Sequence, residues 1–195
     1  MIFYIKYALP DFTKLLIVFL NSKMYWTDRK NRSIWRAAMD GSDPEIILTD
    51  LNSPVGITID FQFSRLYWTN KAGDAIETSD LNGMDHKVVA NLTRDSFPCG
   101  IGTLNGALFW SNQNLKTVQS CPNANNCKPV EIHNANALLR DLAIMHESNQ
   151  PRFRRRNDCA GMSCSHHCVL AGASSRCICP QGWQLAEDER TCIKF

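Results

Sequence analysis

Cysteine is missing from the first half of this chain. Nine cysteines occur in 195 residues, yet none precedes Cys99, and six fall between Cys159 and Cys192. Bridges are therefore confined to the later part, and the cluster of six reads as a disulfide framework. Such a framework belongs to an oxidising compartment, so the material is secreted or part of an ectodomain. An excess of one charge sign is also lacking. The formal net charge is +2, too small to argue for nucleic acid or an acidic substrate. The apolar run Leu15-Leu16-Ile17-Val18-Phe19-Leu20 is too short to span a bilayer. No Gly-x-Ser-x-Gly, His-Glu-x-x-His or phosphate-loop pattern occurs, so the chain does not read as an enzyme. Helical periodicity is missing too, because Gly and Asp-Gly fall where helical runs would have to continue.

What is present is a repeat. Tyr25-Trp26-Thr27-Asp28 returns as Tyr67-Trp68-Thr69-Asn70 and, altered, as Phe109-Trp110-Ser111-Asn112, starting at positions 25, 67 and 109, a constant spacing of 42 residues. A fixed period of this length marks a repeat architecture, whose units cannot bury an apolar face alone.

Within the second copy, Ile57-Thr58-Ile59-Asp60 alternates with period two, as a half-buried strand should. Leu66 to Thr69, Ala75 to Asp80 and Lys87 to Ala90 are three further strands. In the first copy, Ile34 to Met39 and Glu45 to Leu48 are strands. Asp40-Gly41, echoed by Asn82-Gly83, predicts a two-residue hairpin with positive φ at both positions. Four short antiparallel strands per period is the shape of a propeller blade. The predicted fold class is all-β, with about three such blades.

The third copy differs in its turns. Its first turn is the tight pair Asn105-Gly106, and its second falls between Cys121 and Cys127. Cysteines flanking a hairpin tip can face each other at bridging distance, which predicts a Cys121–Cys127 disulfide. Cys99 is then a free thiol, a small buried hydrophobe before a strand. Leu138 to Met145 begins a fourth copy and stops after one strand.

At the start, Leu15 and Ile17 fall where Ile57 and Ile59 fall in the next copy, so residues 13–20 read as the first strand. Lys6, Lys14 and the apolar run also suggest a signal peptide, but Pro10 and Asp11 interrupt it and no small-x-small site follows. The organisation expected is 1–12 unassigned, 13–148 partial propeller with copies near 13–50, 51–92 and 93–134 and a closing strand at 138–145, a basic linker at 149–158, and a cysteine-rich unit at 159–195. Arg152-Phe153-Arg154-Arg155 in the linker has the basic spacing that secretory convertases cut. Sequons at Asn31 and Asn91 predict N-glycosylation.

The 42-residue repeat with Tyr-Trp-Thr-Asp, followed by Ile34-x-Arg36-Ala37-x-x-Asp40-Gly41, resembles the class B (YWTD) repeat of the low-density lipoprotein receptor family. Residues 159–195, with Cys164-Ser165-His166-His167-Cys168 and Cys179-Pro180-Gln181-Gly182-Trp183, resemble the EGF-like module that follows such propellers. The six cysteines alone permit 15 pairings. The resemblance implies Cys159–Cys168, Cys164–Cys177 and Cys179–Cys192. Calcium-binding members carry acidic and amide residues before the first cysteine. Arg155-Arg156-Asn157-Asp158 departs from that pattern and argues against calcium, so no cofactor is expected. A zinc site of His166, His167, Cys177 and Cys179 would strand other cysteines.

Propellers of this family have six blades. The chain is therefore expected to be a fragment or a truncated gene model, and it holds no class A module, membrane span or cytoplasmic tail. The implied function is non-enzymatic: a ligand-binding or structural module of an endocytic receptor, at the cell surface, from a parent anchored in the membrane. Its implied partners are extracellular proteins, either lipoproteins or signalling proteins. A Wnt co-receptor module and a basement-membrane matrix module are the alternatives. Release of ligand at endosomal pH would involve histidine, whose charge changes there, and His86, His133 and His146 are the candidates.

Overall fold

The computed structural model describes residues 12–18, 23–146, 158–171 and 174–195. Residues 1–11, the end of the Leu15–Leu20 run, and the linker with its Arg152-Phe153-Arg154-Arg155 motif lie outside the described residues.

Three four-stranded antiparallel sheets occur among the described residues, each in simple sequential order. The first contains β1 (Phe12–Val18), β2 (Lys23–Asp28), β3 (Ser33–Ala38) and β4 (Glu45–Leu48). The second contains β5 (Pro54–Asp60), β6 (Arg65–Asn70), β7 (Ala75–Asp80) and β8 (Lys87–Asn91). The third contains β9 (Pro98–Leu104), β10 (Ala107–Asn112), β11 (Thr117–Cys121) and β12 (Val130–Asn134). These are blades 1 to 3, and the YWTD segments are their second strands. Two hairpins, β13 (His167–Ala171) with β14 (Ser174–Ile178) and β15 (Trp183–Leu185) with β16 (Cys192–Lys194), form the C-terminal unit.

The aromatic pair of the motif explains the stacking. Neighbouring residues of a strand point to opposite faces of its sheet. Tyr25 therefore enters the core between blades 1 and 2, and Trp68 enters that same core from blade 2, with Ile34, Ile57 and Leu66. Tyr67 and Trp110 repeat the arrangement between blades 2 and 3, with Ile76, Ile101 and Leu108. Each core thus takes a tyrosine from one blade and a tryptophan from the next. Burying a side chain of this size contributes about 2–3 kcal/mol. Phe109, the third aromatic in the tyrosine position, is only half-buried, because Leu108 and Trp110 occupy the face toward blade 2 and it looks the other way.

Two turns depart from the sequence expectation. At Asp40-Gly41 only Gly41 has positive φ (82°), and the turn closes through Gly41 N–H to Ala38 O and Ala38 N–H to Ser42 O, both at 2.9 Å. This is a three-residue loop ending in a left-handed glycine, not a two-residue hairpin. Blade 2 repeats it, with Gly83 N–H on Asp80 O and Asp80 N–H on Met84 O. The genuine two-residue turn is Asn105-Gly106, with φ of 51° and 78° and Leu104 directly opposite Ala107.

The strand expected over 138–145 is also not formed, since residues 138–146 join no ladder. They nevertheless lie against β9. A Cβ on Gly100 would stand 2.1 Å from Leu142 N, just as one on Gly56 would stand 2.1 Å from the Cys99 carbonyl oxygen. The segment takes the place an inner strand would take, and no described strand follows it to pair.

Candidate functional site

The third residue of the motif joins the blades. Thr27 Oγ1 donates to the Val55 carbonyl at 2.8 Å, and Thr69 Oγ1 donates to the Cys99 carbonyl at 2.7 Å. Thr69 Oγ1 also accepts from Gly56 N–H at 2.8 Å, as Ser111 Oγ accepts from Gly100 N–H at 3.0 Å. One hydroxyl therefore satisfies an inner strand of its own blade and the inner strand of the next.

The fourth residue shapes a turn. Asp28 accepts from Asn31 N–H at 2.9 Å and from Asn31 Nδ2 at 2.7 Å, and Asn70 Oδ1 accepts from Gly73 N–H at 3.1 Å. Asn112 instead donates to Thr117 Oγ1 at 3.1 Å. Three β-turn residues at the 42-residue spacing, Arg32, Asp74 and Lys116, take positive φ at the close of these turns.

The residue after the motif crosses to the following blade. Arg29 Nε donates to Ser53 Oγ at 3.0 Å. Lys71 Nζ donates to Gln113 Oε1 at 2.6 Å and lies 5.5 Å from the centre of the Phe97 ring. Below them burial pushes the Cys99 thiol pKa up, while the charges of Lys71 and Arg29 pull it down. Cys99, expected just before a strand, lies inside β9, where it is buried and free. Arg32 Nε donates to Leu51 O at 2.8 Å. Arg29, Arg32 and Lys71 are thus tied down at the turn end of blades 1 and 2, where the Asp28 and Asp74 carboxylates are engaged as well.

At the opposite end Arg36, the arginine of the repeat, reaches blade 2. Its Nη1 donates to Leu81 O at 2.9 Å and Asn82 Oδ1 at 2.7 Å, and it pairs with Glu45 at 2.7 Å. Arg176 on β14 pairs with Asp40 in the β3–β4 turn, so the C-terminal unit contacts blade 1.

Of the three histidines singled out, His86 lies against a buried acid. His86 Nε2 lies 2.8 Å from Glu77 Oε2, and its ring lies 5.2 Å from that of Trp68. Glu77 is buried, and Asn70 Nδ2 donates to its other oxygen. His133 lies on exposed β12, and His146 is exposed beyond it. Sequence reasoning missed Glu77. The signal available was an acid one place off the apolar alternation of β7, on the strand paired with the motif.

Cys121 and Cys127 are bridged with Cα atoms 5.3 Å apart around a short 3-10 turn, Ala124–Asn126. The C-terminal unit carries Cys159–Cys168, Cys164–Cys177 and Cys179–Cys192. Two residues of the zinc alternative, Cys177 and Cys179, are thereby committed to bridges. Among the described residues no group of three His, Cys, Asp or Glu side chains could hold a metal ion, and no helix is long and apolar enough to cross a membrane. Asn31 is exposed in the β2–β3 turn, and Asn91 is the exposed last residue of β8.

Residues 22–61 match the family described as low-density lipoprotein receptor repeat class B. The vitellogenin receptor Yl of Drosophila melanogaster is 31% identical over 177 residues, 87% of this chain and 9% of that protein. Human low-density lipoprotein receptor-related protein 5 is 34% identical over 93 residues, 46% of this chain and 6% of that protein. Among solved structures, a chain of a nidogen/laminin complex matches with a TM-score of 0.61 and 27% identity, covering 67% of this chain and 51% of that one. The chain thus spans under a tenth of the length of either receptor. Three stacked copies of the motif, with a tyrosine–tryptophan core at each of the two junctions between them, agree with these matches: the chain is built on the class B (YWTD) repeat of the low-density lipoprotein receptor family.

Proposed function

We propose that this chain is a non-enzymatic, extracellular ligand-binding module of a low-density lipoprotein receptor-related endocytic receptor. The propeller, over residues 13–148, and the EGF-like module, over 159–195, bind protein ligand together and let it go at endosomal pH. The observation that carries the reading is the match to a vitellogenin receptor across 87% of the chain, more than the propeller alone spans. The four bridges support an oxidising, extracellular location.

A second reading is favoured by the match to receptor-related protein 5: a co-receptor module for secreted signalling proteins. A test that separates the two immobilises the secreted chain at pH 7.4 and passes over it a purified lipoprotein, a secreted signalling protein of the Wnt class, and laminin. Saturable binding of the lipoprotein is the expected result. Binding of the signalling protein alone, or of laminin alone, would move the function to the co-receptor or the matrix alternative.

A further inference from the structure

The two sequons lie at the same end of the blades. Asn31 sits in the turn joining β2 to β3, where Leu51 N–H bonds Arg32 O at 2.9 Å. Asn91 ends β8, and the next residue, Leu92, bonds Asp74 O of the β6–β7 turn at 2.7 Å. Antiparallel order puts the end of a fourth strand beside the turn between the second and third. Thr27 of blade 1 bonds Val55 of blade 2 just as Thr69 of blade 2 bonds Cys99 of blade 3, so these ends coincide from blade to blade. Both asparagines are exposed. Ala90 is buried, so alternation turns Asn91 outward.

We propose that Asn31 and Asn91 both carry N-linked oligosaccharides, and that these shield the turn end of blades 1 and 2 from protein partners. The proposal rests on the secretory location argued above. The modifying step joins Nδ2 to C1 of an oligosaccharide carried on a lipid pyrophosphate. The C1–O bond breaks, one amide proton is released and the lipid pyrophosphate leaves, with no change of oxidation state.

The folded geometry accommodates the modification at Asn31. Its Nδ2 has two hydrogens and gives one to Asp28 Oδ2. Replacing the other with a sugar keeps the bond that shapes the motif turn. Timing is constrained, however. Ser33, the sequon hydroxyl, is buried and accepts from Trp35 Nε1 at 2.9 Å. Asn31 must therefore be modified before β2 and β3 close. Thr93 is exposed, so Asn91 is under no such limit. Once attached, the Asn31 glycan stands among Arg29, Lys30 and Arg32, all exposed in the same turn. Ligand would then reach the module from blade 3 or from the hairpin end.

The test expresses the full chain through a secretory pathway and maps glycopeptides before and after peptide N-glycosidase treatment in heavy-oxygen water. Heavy-oxygen label at both positions is expected, with one glycan lost in Asn31→Gln and both in the double Asn31→Gln/Asn91→Gln variant. Native trypsin should cut after Arg29, Lys30 or Arg32 roughly tenfold more slowly before deglycosylation than after it, since exposed turns are where proteolysis concentrates. Enzymatic deglycosylation supplies this comparison even where a variant is not secreted. A secreted, fully bridged chain with Asn31 unmodified, or with equal cleavage rates before and after deglycosylation, overturns the proposal alone. A chain retained in cells with reduced cysteines and no glycan at either site overturns the extracellular reading as well.

Discussion

Thr69 of blade 2 donates its hydroxyl proton to the carbonyl of Cys99 in blade 3, at 2.7 Å, while accepting from Gly56 N–H. Replacing it by valine keeps the shape and leaves a buried N–H and a buried C=O unpaired. Each orphaned group costs about 1–3 kcal/mol, so Thr69→Val should destabilise by about 3 kcal/mol in urea unfolding. Thr69→Ser keeps the hydroxyl that Ser111 already uses in blade 3 and should cost under about 1 kcal/mol.

Gly56 and Gly41 make a paired contrast. A Cβ on Gly56 meets the Cys99 carbonyl oxygen at 2.1 Å, so Gly56→Ala must push two inner strands apart. Its cost should exceed about 4 kcal/mol, the exceptional range for a point change. Gly41 has nothing within 4 Å, and only its φ of +82° resists a side chain. Gly41→Ala should cost about 1 kcal/mol. Parallel thermal melts of the two variants check the difference.

The period and the four strands of each copy were legible in the sequence, because apolar alternation and turn dipeptides are local signals. The Thr69–Cys99 bond was not. That partner lies 30 residues away in the next copy, and nothing in either residue type announces it. Asp40-Gly41 was legible as a turn, but dipeptide chemistry does not distinguish two positive φ values from one. Leu138 to Met145 has a strand's composition. A strand also needs a neighbour with which to exchange hydrogen bonds, and composition does not report one. Glu77 was hidden for a similar reason: its burial depends on Asn70 and His86 closing over it.

Cys99 should be slow to react. Burial raises its thiol pKa against the opposing pull of Lys71 and Arg29, so the thiolate is scarce at neutral pH. Iodoacetamide at pH 7.5 should leave native Cys99 unlabelled while labelling it in guanidinium. Rapid labelling of the native chain would show that the inner strands open at this position.

The last turn of the C-terminal unit should ignore endosomal acid. Hydrogen bonds from the Thr191 hydroxyl, Thr191 N–H and Arg190 N–H hold the Asp188 carboxyl down to about 2. A depressed folded-state value gives stability that is present above the unfolded value, about 3.9, and is lost as pH falls through 2. Between pH 7.4 and 5.5 the turn is unchanged. Amide exchange at Thr191 should therefore match at those two pH values, after correction for intrinsic rates, and quicken below pH 4. In Asp188→Asn it should be fast throughout.

The proposed release of ligand at acid pH needs a source other than Asp188, and His86, set against the buried Glu77, is the candidate to test. It faces Glu77 on β7, the strand paired with the motif strand, and the Trp68 ring, with Asp85 and Lys87 on either side in the chain. The most direct measurement is the dissociation of a bound lipoprotein from the immobilised, secreted chain on stepping from pH 7.4 to 5.5. The account predicts saturable binding at pH 7.4, weakened at least about tenfold (1.4 kcal/mol) at pH 5.5, with the difference reduced in His86→Gln. Absence of saturable binding at pH 7.4, or equal affinity at both pH values, would contradict it.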